Sequence, residues 1–167
     1  GLKKGDLVWT SPITFVASAN CAKFCGAEID FVDVNNYGLM CVKDLEKKLN
    51  KAKKNNRLPK VIIPVHLAGS SCDMEIIKKL SLEFGFYIIE DASHAIGGEY
   101  KGSKVGSCKY SDICVFSFHP VKIITTAEGG LATCNNDTLA RKMRLFSSHG
   151  ITKEENEFNY KNKGSWH

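Results

Sequence analysis

The sequence predicts an α/β fold, a three-layer α/β/α sandwich built on a mainly parallel sheet. Short apolar runs alternate with stretches of helical period along the first half of the chain. The polar residues best suited to chemistry fall just after those runs, where open parallel sheets bind their ligands. The length, 167 residues of which 43% are hydrophobic, suffices for one ordinary domain with a core of its own.

Leu7–Thr10 reads as the first strand. A helix follows from about Thr14, in which Phe15, Ala19 and Ala22 recur at helical spacing and Gly26 supplies a left-handed stop. Ile29–Val34 is the second strand, and the helix from about Val42 places Val42, Leu45, Leu49 and Ala52 on one face with lysines opposite. Val61–Val65 is the third strand. The helix from about Met74 takes Asp73 as its N-cap, buries Ile77, Leu80 and Phe84, and stops at Gly85. Tyr87–Glu90 is the fourth strand. Beyond Asp91 the rhythm changes, and the Gly- and Ser-rich stretch Ala92–Lys109 is expected to loop over the carboxyl ends of the strands. Strand Ile113–Phe118, a turn holding Lys122, strand Gly130–Thr133 and a helix from about Asp137 with Leu139, Met143 and Phe146 on one side complete the order. Thr152–Lys163 alternates charge and Asn without an apolar period, which predicts a mobile loop.

Composition narrows the function. A net charge of +5 arises from lysines spread over Lys43–Lys60, Lys78–Lys79, Lys101–Lys109 and Lys161–Lys163, a pattern of solvated faces rather than a basic groove for nucleic acid. The seven cysteines form no C-x-x-C pair, so neither a disulfide scaffold nor a zinc site is expected, and reduced thiols fit a cytoplasmic protein. No signal-peptide pattern opens the chain, and no apolar run approaches the about 20 residues of a membrane-spanning helix.

Three polar clusters lie at strand ends: His66 after the third strand, Glu90-Asp91 with Ser93 and His94 after the fourth, and Ser117 with Lys122 after the next. Lys122 is flanked by Phe118, Pro120, Val121, Ile123 and Ile124, a setting expected to desolvate its amine and favour the neutral nucleophile. Each residue also has a purely structural reading: Asp91 as a turn cap, His94 as a satisfied loop histidine, Ser117 closing its strand with a backbone bond. A lysine and a carboxylate on neighbouring strand ends are what a pyridoxal phosphate site requires. The amine condenses with the cofactor aldehyde, and the aspartate keeps the pyridine nitrogen protonated. No G-x-G-x-x-G or P-loop pattern points to a nucleotide fold instead.

Four stretches, SPITFVASANCAKFCGAEIDFVDV, PVHLAGSSCDM, IIEDASHAIGGEYKGSKVGS and FSFHPVKIITTAEGG, together resemble the DegT-type nucleotide-sugar aminotransferases, which are fold-type I pyridoxal phosphate enzymes. The likeness runs from Lys4 to about Thr152. Within the family, SPITFVASAN and the lysine motif are most similar to the 4-aminotransferases of pseudaminic acid biosynthesis. Perosamine-type relatives more often carry Gly-Asn before the lysine, where Pro120-Val121 stands here.

The resemblance implies that Lys122 is the Schiff-base lysine and Asp91 the partner of the pyridine nitrogen. By the same likeness His94 lies beside the cofactor's phenolic oxygen, Ser117 binds its phosphate and Phe15 stacks on its ring, while His66 is placed near the substrate. It implies glutamate and a UDP-linked 4-keto-6-deoxy amino sugar as substrates, and a homodimer or higher homo-oligomer with sites built from two subunits. The family's Gly-Thr phosphate loop, its Gly-Tyr-Asn-Tyr-Arg segment and its C-terminal small domain have no counterpart in Gly1–His167. The chain is therefore expected to be an incomplete large domain.

Overall fold

The computed structural model describes residues 1–154. The expected tail, Thr152–Lys163, lies outside the described residues from position 155 onward. Six strands form the main sheet in the order β2-β1-β3-β4-β7-β8, and β5 and β6 form a separate hairpin. The strands are β1 (Leu7–Thr10), β2 (Glu28–Phe31), β3 (Val61–Ile63), β4 (Tyr87–Asp91), β5 (Glu99–Tyr100), β6 (Ser103–Lys104), β7 (Ile113–Ser117) and β8 (Gly130–Thr133). The helices are α1 (Ala17–Phe24), α2 (Val42–Lys54), α3 (Met74–Phe84) and α4 (Asp137–Ser147). Within the main sheet the pairs β1–β2, β1–β3, β3–β4 and β4–β7 are parallel and β7–β8 is antiparallel, as is the β5–β6 hairpin.

Helices cover both faces of the β1–β3–β4 region. On one face α2 and α3 bring Leu45, Leu49, Ile77, Leu80 and Phe84 against Trp9, Ile62 and Ile88. On the other, Ala22 of α1 and Ala27 pack on Val8, Val61 and Ile63. A third cluster joins Ala92, Ala95 and Cys108 of the loop after β4 to Cys114 and Phe116 of β7. The alternation along β7 follows the pleat: Cys114 and Phe116 are buried while Val115, on the other face, is exposed.

Several boundaries differ from the sequence expectation for identifiable reasons. Strand β3 stops at Ile63 because Pro64 has no N–H to give the ladder, and pairing resumes as a bridge between Val65 and Asp91. Strand β2 ends at Phe31, after which Val34 turns to bridge Met40. Helix α1 begins at Ala17, because the Thr14 hydroxyl bonds to Ser18 Oγ at 2.9 Å instead of capping the first turn. Asp73 stands at the N-cap position of α3 without capping it, since its Oδ1 accepts the Tyr100 hydroxyl at 2.5 Å. The stretch Ala92–Lys109 holds the β5–β6 hairpin, whose turn residues Lys101 and Gly102 both have positive φ, 46° and 72°. In α4, Leu139 and Met143 are half-buried, but Phe146 points outward and is 82% exposed.

No helix among the described residues is long and apolar enough to cross a membrane. All seven cysteines are free thiols.

Candidate active site

Asp91 is the last residue of β4, held by its backbone from both sides. Its N–H donates to Pro64 O at 2.9 Å, its carbonyl accepts His66 N–H at 2.9 Å, and the next N–H, of Ala92, donates to Val115 O at 2.8 Å. The β4–β7 register sets Asp91 opposite Val115. Side chains alternate along a strand, so Asp91, Val115 and Ser117 share one face of the sheet at its carboxyl edge.

Both carboxylate oxygens of Asp91 are occupied by donors from outside its strand. Oδ2 accepts Ser18 Oγ–H from α1 at 2.6 Å. Oδ1 accepts Ser93 N–H at 3.1 Å and Ser93 Oγ–H at 2.6 Å. An ionised carboxylate has about four lone-pair positions, so capacity remains for a further donor. Ser93 belongs to the cluster expected after the fourth strand, whereas Thr14 and Ser18 escape sequence reasoning, since a serine on a helix and a threonine before one carry no signal of what they will touch across the fold.

Ser117 closes β7, and its Oγ accepts His119 N–H at 3.4 Å. The turn that follows is built on the Phe118 carbonyl, which accepts Thr126 N–H at 3.0 Å and Thr125 Oγ–H at 2.9 Å. Phe118 N–H donates in turn to Gly129 O at 2.9 Å, and Lys122 N–H donates to His119 O at 2.9 Å. Gly130 sits opposite Ser117 in the β7–β8 ladder, where a Cβ would come within 2.9 Å of Phe116 O. The glycine is needed for β8 to pair at that point. This turn carries Lys122 past the end of β7, the strand that pairs with β4 and its Asp91.

Lys122 itself is half-buried. The flanks expected to desolvate it do not do so within this chain: Val121 is 78% exposed, Ile123 71% and Ile124 52%. Among the described residues, nothing packs over these three side chains closely enough to bury them.

His94 is exposed on the loop after β4, and its Nδ1 accepts Ala68 N–H at 3.3 Å. Phe15 lies just ahead of α1 with 75% of its surface exposed, available to cover a planar ligand.

His66 is a different case. It is fully buried, its Nε2 lies 2.7 Å from Glu90 Oε2, and its Nδ1 accepts Cys72 N–H at 3.2 Å. With Nδ1 an acceptor, the ring proton sits on Nε2 and is donated to Glu90. Glu90 also accepts the Ser111 hydroxyl through Oε1. Glu90 points to the face of β4 opposite Asp91, so this cluster stands behind the site. Both ring nitrogens are used, and the geometry gives His66 a structural role rather than the expected contact with substrate.

A carboxylate acceptor, a hydroxyl, a primary amine and an exposed aromatic ring at the carboxyl edge of a parallel sheet form the donor set that pyridoxal phosphate requires. They match its ring nitrogen, phosphate, aldehyde and ring face respectively. The fold and this set point to an aminotransferase-like enzyme. Residues 1–165 match the DegT/DnrJ/EryC1/StrS aminotransferase family, and the chain belongs to it.

Among similar proteins is the UDP-4-amino-4,6-dideoxy-N-acetyl-beta-L-altrosamine transaminase of Campylobacter jejuni subsp. jejuni serotype O:23/36, 45% identical over 151 residues, which are 90% of this chain and 39% of that protein. A solved structure of Helicobacter pylori PseC, an aminotransferase involved in the biosynthesis of pseudoaminic acid, superposes with a TM-score of 0.82 at 37% identity, covering 98% of this chain and 41% of that one. The PLP-form of a putative sugar aminotransferase from Streptococcus pneumoniae superposes with a TM-score of 0.75 at 31% identity, covering 90% of this chain and 42% of that one. The chain thus spans about two-fifths of the length of the relatives it matches.

Proposed function

We propose that this chain is part of a pyridoxal phosphate-dependent aminotransferase that moves an amino group from glutamate to C4 of a UDP-linked 4-keto-6-deoxy amino sugar. The observation that carries the reading is the placement of Asp91 and Ser117 on one face of adjacent strand ends, with Lys122 on the turn that follows. The similarity to the Campylobacter transaminase and to the Helicobacter enzyme supports the sugar class. The protein works in the cytoplasm as a homodimer or larger homo-oligomer. In this reading Gly1–His167 is the large domain without its N-terminal phosphate loop or a small domain.

When bound, pyridoxal phosphate supplies an aldehyde and a ring that withdraws electrons from a substrate carbon losing its proton. The protein's residues have distinct tasks around it. Lys122 would hold the cofactor through its aldehyde, and its amine would serve as the acid–base group for the proton that moves on the substrate. That requires a neutral amine, so the exposed flanks Val121, Ile123 and Ile124 are covered in the complete enzyme by other parts of the protein. Asp91 would hold the proton on the ring nitrogen, Ser117 would donate to the phosphate, Phe15 would cover the ring face and His94 would serve the phenolic oxygen. The test is an assay of the full-length protein with glutamate against a panel of UDP-4-keto sugars. Formation of a 4-amino sugar matched by 2-oxoglutarate supports the reading, and no turnover of any member refutes it.

A further inference from the structure

The backbone of Asp91 is fixed on both sides by Pro64, His66 and the β4–β7 ladder, so the freedom left to its carboxylate is rotation about its side-chain bonds. Ser93 restrains one oxygen from the same loop. The other oxygen is restrained only from α1, by Ser18, whose position lies 73 residues away in sequence and whose surface is 6% exposed. A serine in the first turn of a helix ordinarily bonds to its own backbone or to water. Here its one proton goes to Asp91 Oδ2, so in the 2.9 Å contact between Thr14 Oγ and Ser18 Oγ the donor must be Thr14. Thr14, in turn, leaves α1 with no side-chain cap.

We infer that Ser18 is a positioning residue for Asp91, aligned by Thr14, and that this relay aims the carboxylate's remaining lone pairs at the nitrogen of the bound ring. The inference rests on the aminotransferase reading above. Phe15 lies between the two hydroxyl residues in sequence, so the segment that covers the ring face also sets the group that meets the ring edge. Losing Ser18 would let Oδ2 swing and loosen the grip on the ring proton. A ring that is less firmly protonated repels a proton on the nearby lysine linkage less, so that linkage should hold its proton to higher pH.

The experiment follows the visible absorbance of the lysine-bound cofactor against pH in the full-length protein and in Ser18→Ala, Ser18→Thr and Thr14→Val, with thermal melts as a fold control. Ser18→Ala should move the absorbance midpoint up by about half a unit or more and lower kcat at least about tenfold, with the KM for glutamate changed far less. Ser18→Thr, which keeps the hydroxyl, should restore the midpoint, and Thr14→Val should shift it in the same direction by less. An unchanged midpoint in Ser18→Ala overturns the inference and leaves the aminotransferase reading intact. Absence of a visible band in the unsubstituted protein overturns both. Should Ser18→Ala not fold, Thr14→Val decides: an upward shift supports the relay and none overturns it.

Discussion

Strands β1, β3 and β4 are packed on both faces, whereas β7 is packed on one. In the first region α1 covers one side and α2 with α3 the other, leaving Val8, Ile62 and Ile88 at 1%, 0% and 0% exposure. In the second, Cys114 and Phe116 are buried under the loop after β4, while Val115 faces outward, as do Val121, Ile123 and Ile124 of the lysine turn. Helix α4 has no fully buried residue. The difference separates two tasks. The closed region is held by its own core and fixes Asp91, whereas the open region presents apolar surface of the kind that marks an interface.

The sharpest way to test the contrast is at the border between the regions. Asp91→Asn in the full-length enzyme keeps the shape but offers an amide that cannot hold the ring proton. The half-reaction should slow by roughly three powers of ten, with the melting temperature nearly unchanged. Rapid-mixing absorbance measures it, and near-normal rates would remove Asp91 from the chemistry.

Next in size are core substitutions. Ile88→Ala in the closed region should cost about 2–5 kcal/mol in denaturant unfolding, whereas Val121→Ser in the open region should change stability by about 0.5 kcal/mol or less. Equal effects would show that the regions are not built differently. In sedimentation the chain by itself should associate through the open face, carry little cofactor and show no transaminase activity. A monomer that binds pyridoxal phosphate tightly would contradict this.

Thiol reactivity gives a smaller, graded contrast. Burial pushes the Cys72 thiol up to about 12, and burial also raises Cys114, the negative charge of Glu90 adding to both shifts. Cys25 is exposed at the end of α1. Iodoacetamide at about pH 8 should label Cys25 well ahead of Cys72 and Cys114, which become reactive only on unfolding. Mass spectrometry of timed samples would show the order.

The smallest effect is electrostatic. The side-chain bond from Lys60, 2.8 Å away, together with the Lys3 N–H, holds the Asp6 carboxyl below the usual carboxylate range. A depressed value in the folded state means that the contribution to stability is present above the unfolded value near 4 and is lost as pH falls through the lower folded value. Asp6→Asn should therefore flatten the acid limb of a stability–pH curve below about pH 4, with the small loss of stability seen at neutral pH and vanishing in acid, where the wild-type carboxyl is protonated as well.

Most of the closed region was legible in the sequence because its signals are local. The periodicity of α2 and α3, the Gly85 stop and the apolar runs of β1, β3 and β4 each follow from residues a few positions apart. What escaped turns on how single polar and proline residues spend or lack their hydrogen bonds, which the apolar pattern does not show. The Thr14 hydroxyl goes to Ser18, Asp73 is drawn to Tyr100, and Pro64 interrupts a ladder that the apolar pattern alone would continue. The β5–β6 hairpin was missed because a lysine holds the first positive-φ position of its turn, where Asn or Asp would have signalled one. At the site, motif likeness singled out Asp91, Ser117 and Lys122, and the fold sets the first two on neighbouring strand ends and the third on the turn that follows. The same reasoning misjudged two surroundings. The apolar flanks of Lys122 were expected to bury it, although apolar neighbours in sequence bury a lysine only when something packs over them. His66 looked like a ligand contact because it ends a strand, yet it turns inward to Glu90 and Cys72.

The claim on which the account turns is that Lys122 carries the cofactor. Incubation of the full-length protein with pyridoxal phosphate, reduction with borohydride and mapping of the modified peptide tests it directly. The account predicts one stable adduct, on Lys122, in the peptide that contains FSFHPVKIITTAEGG. A stoichiometric adduct on another lysine, with Lys122 unmodified, would contradict it.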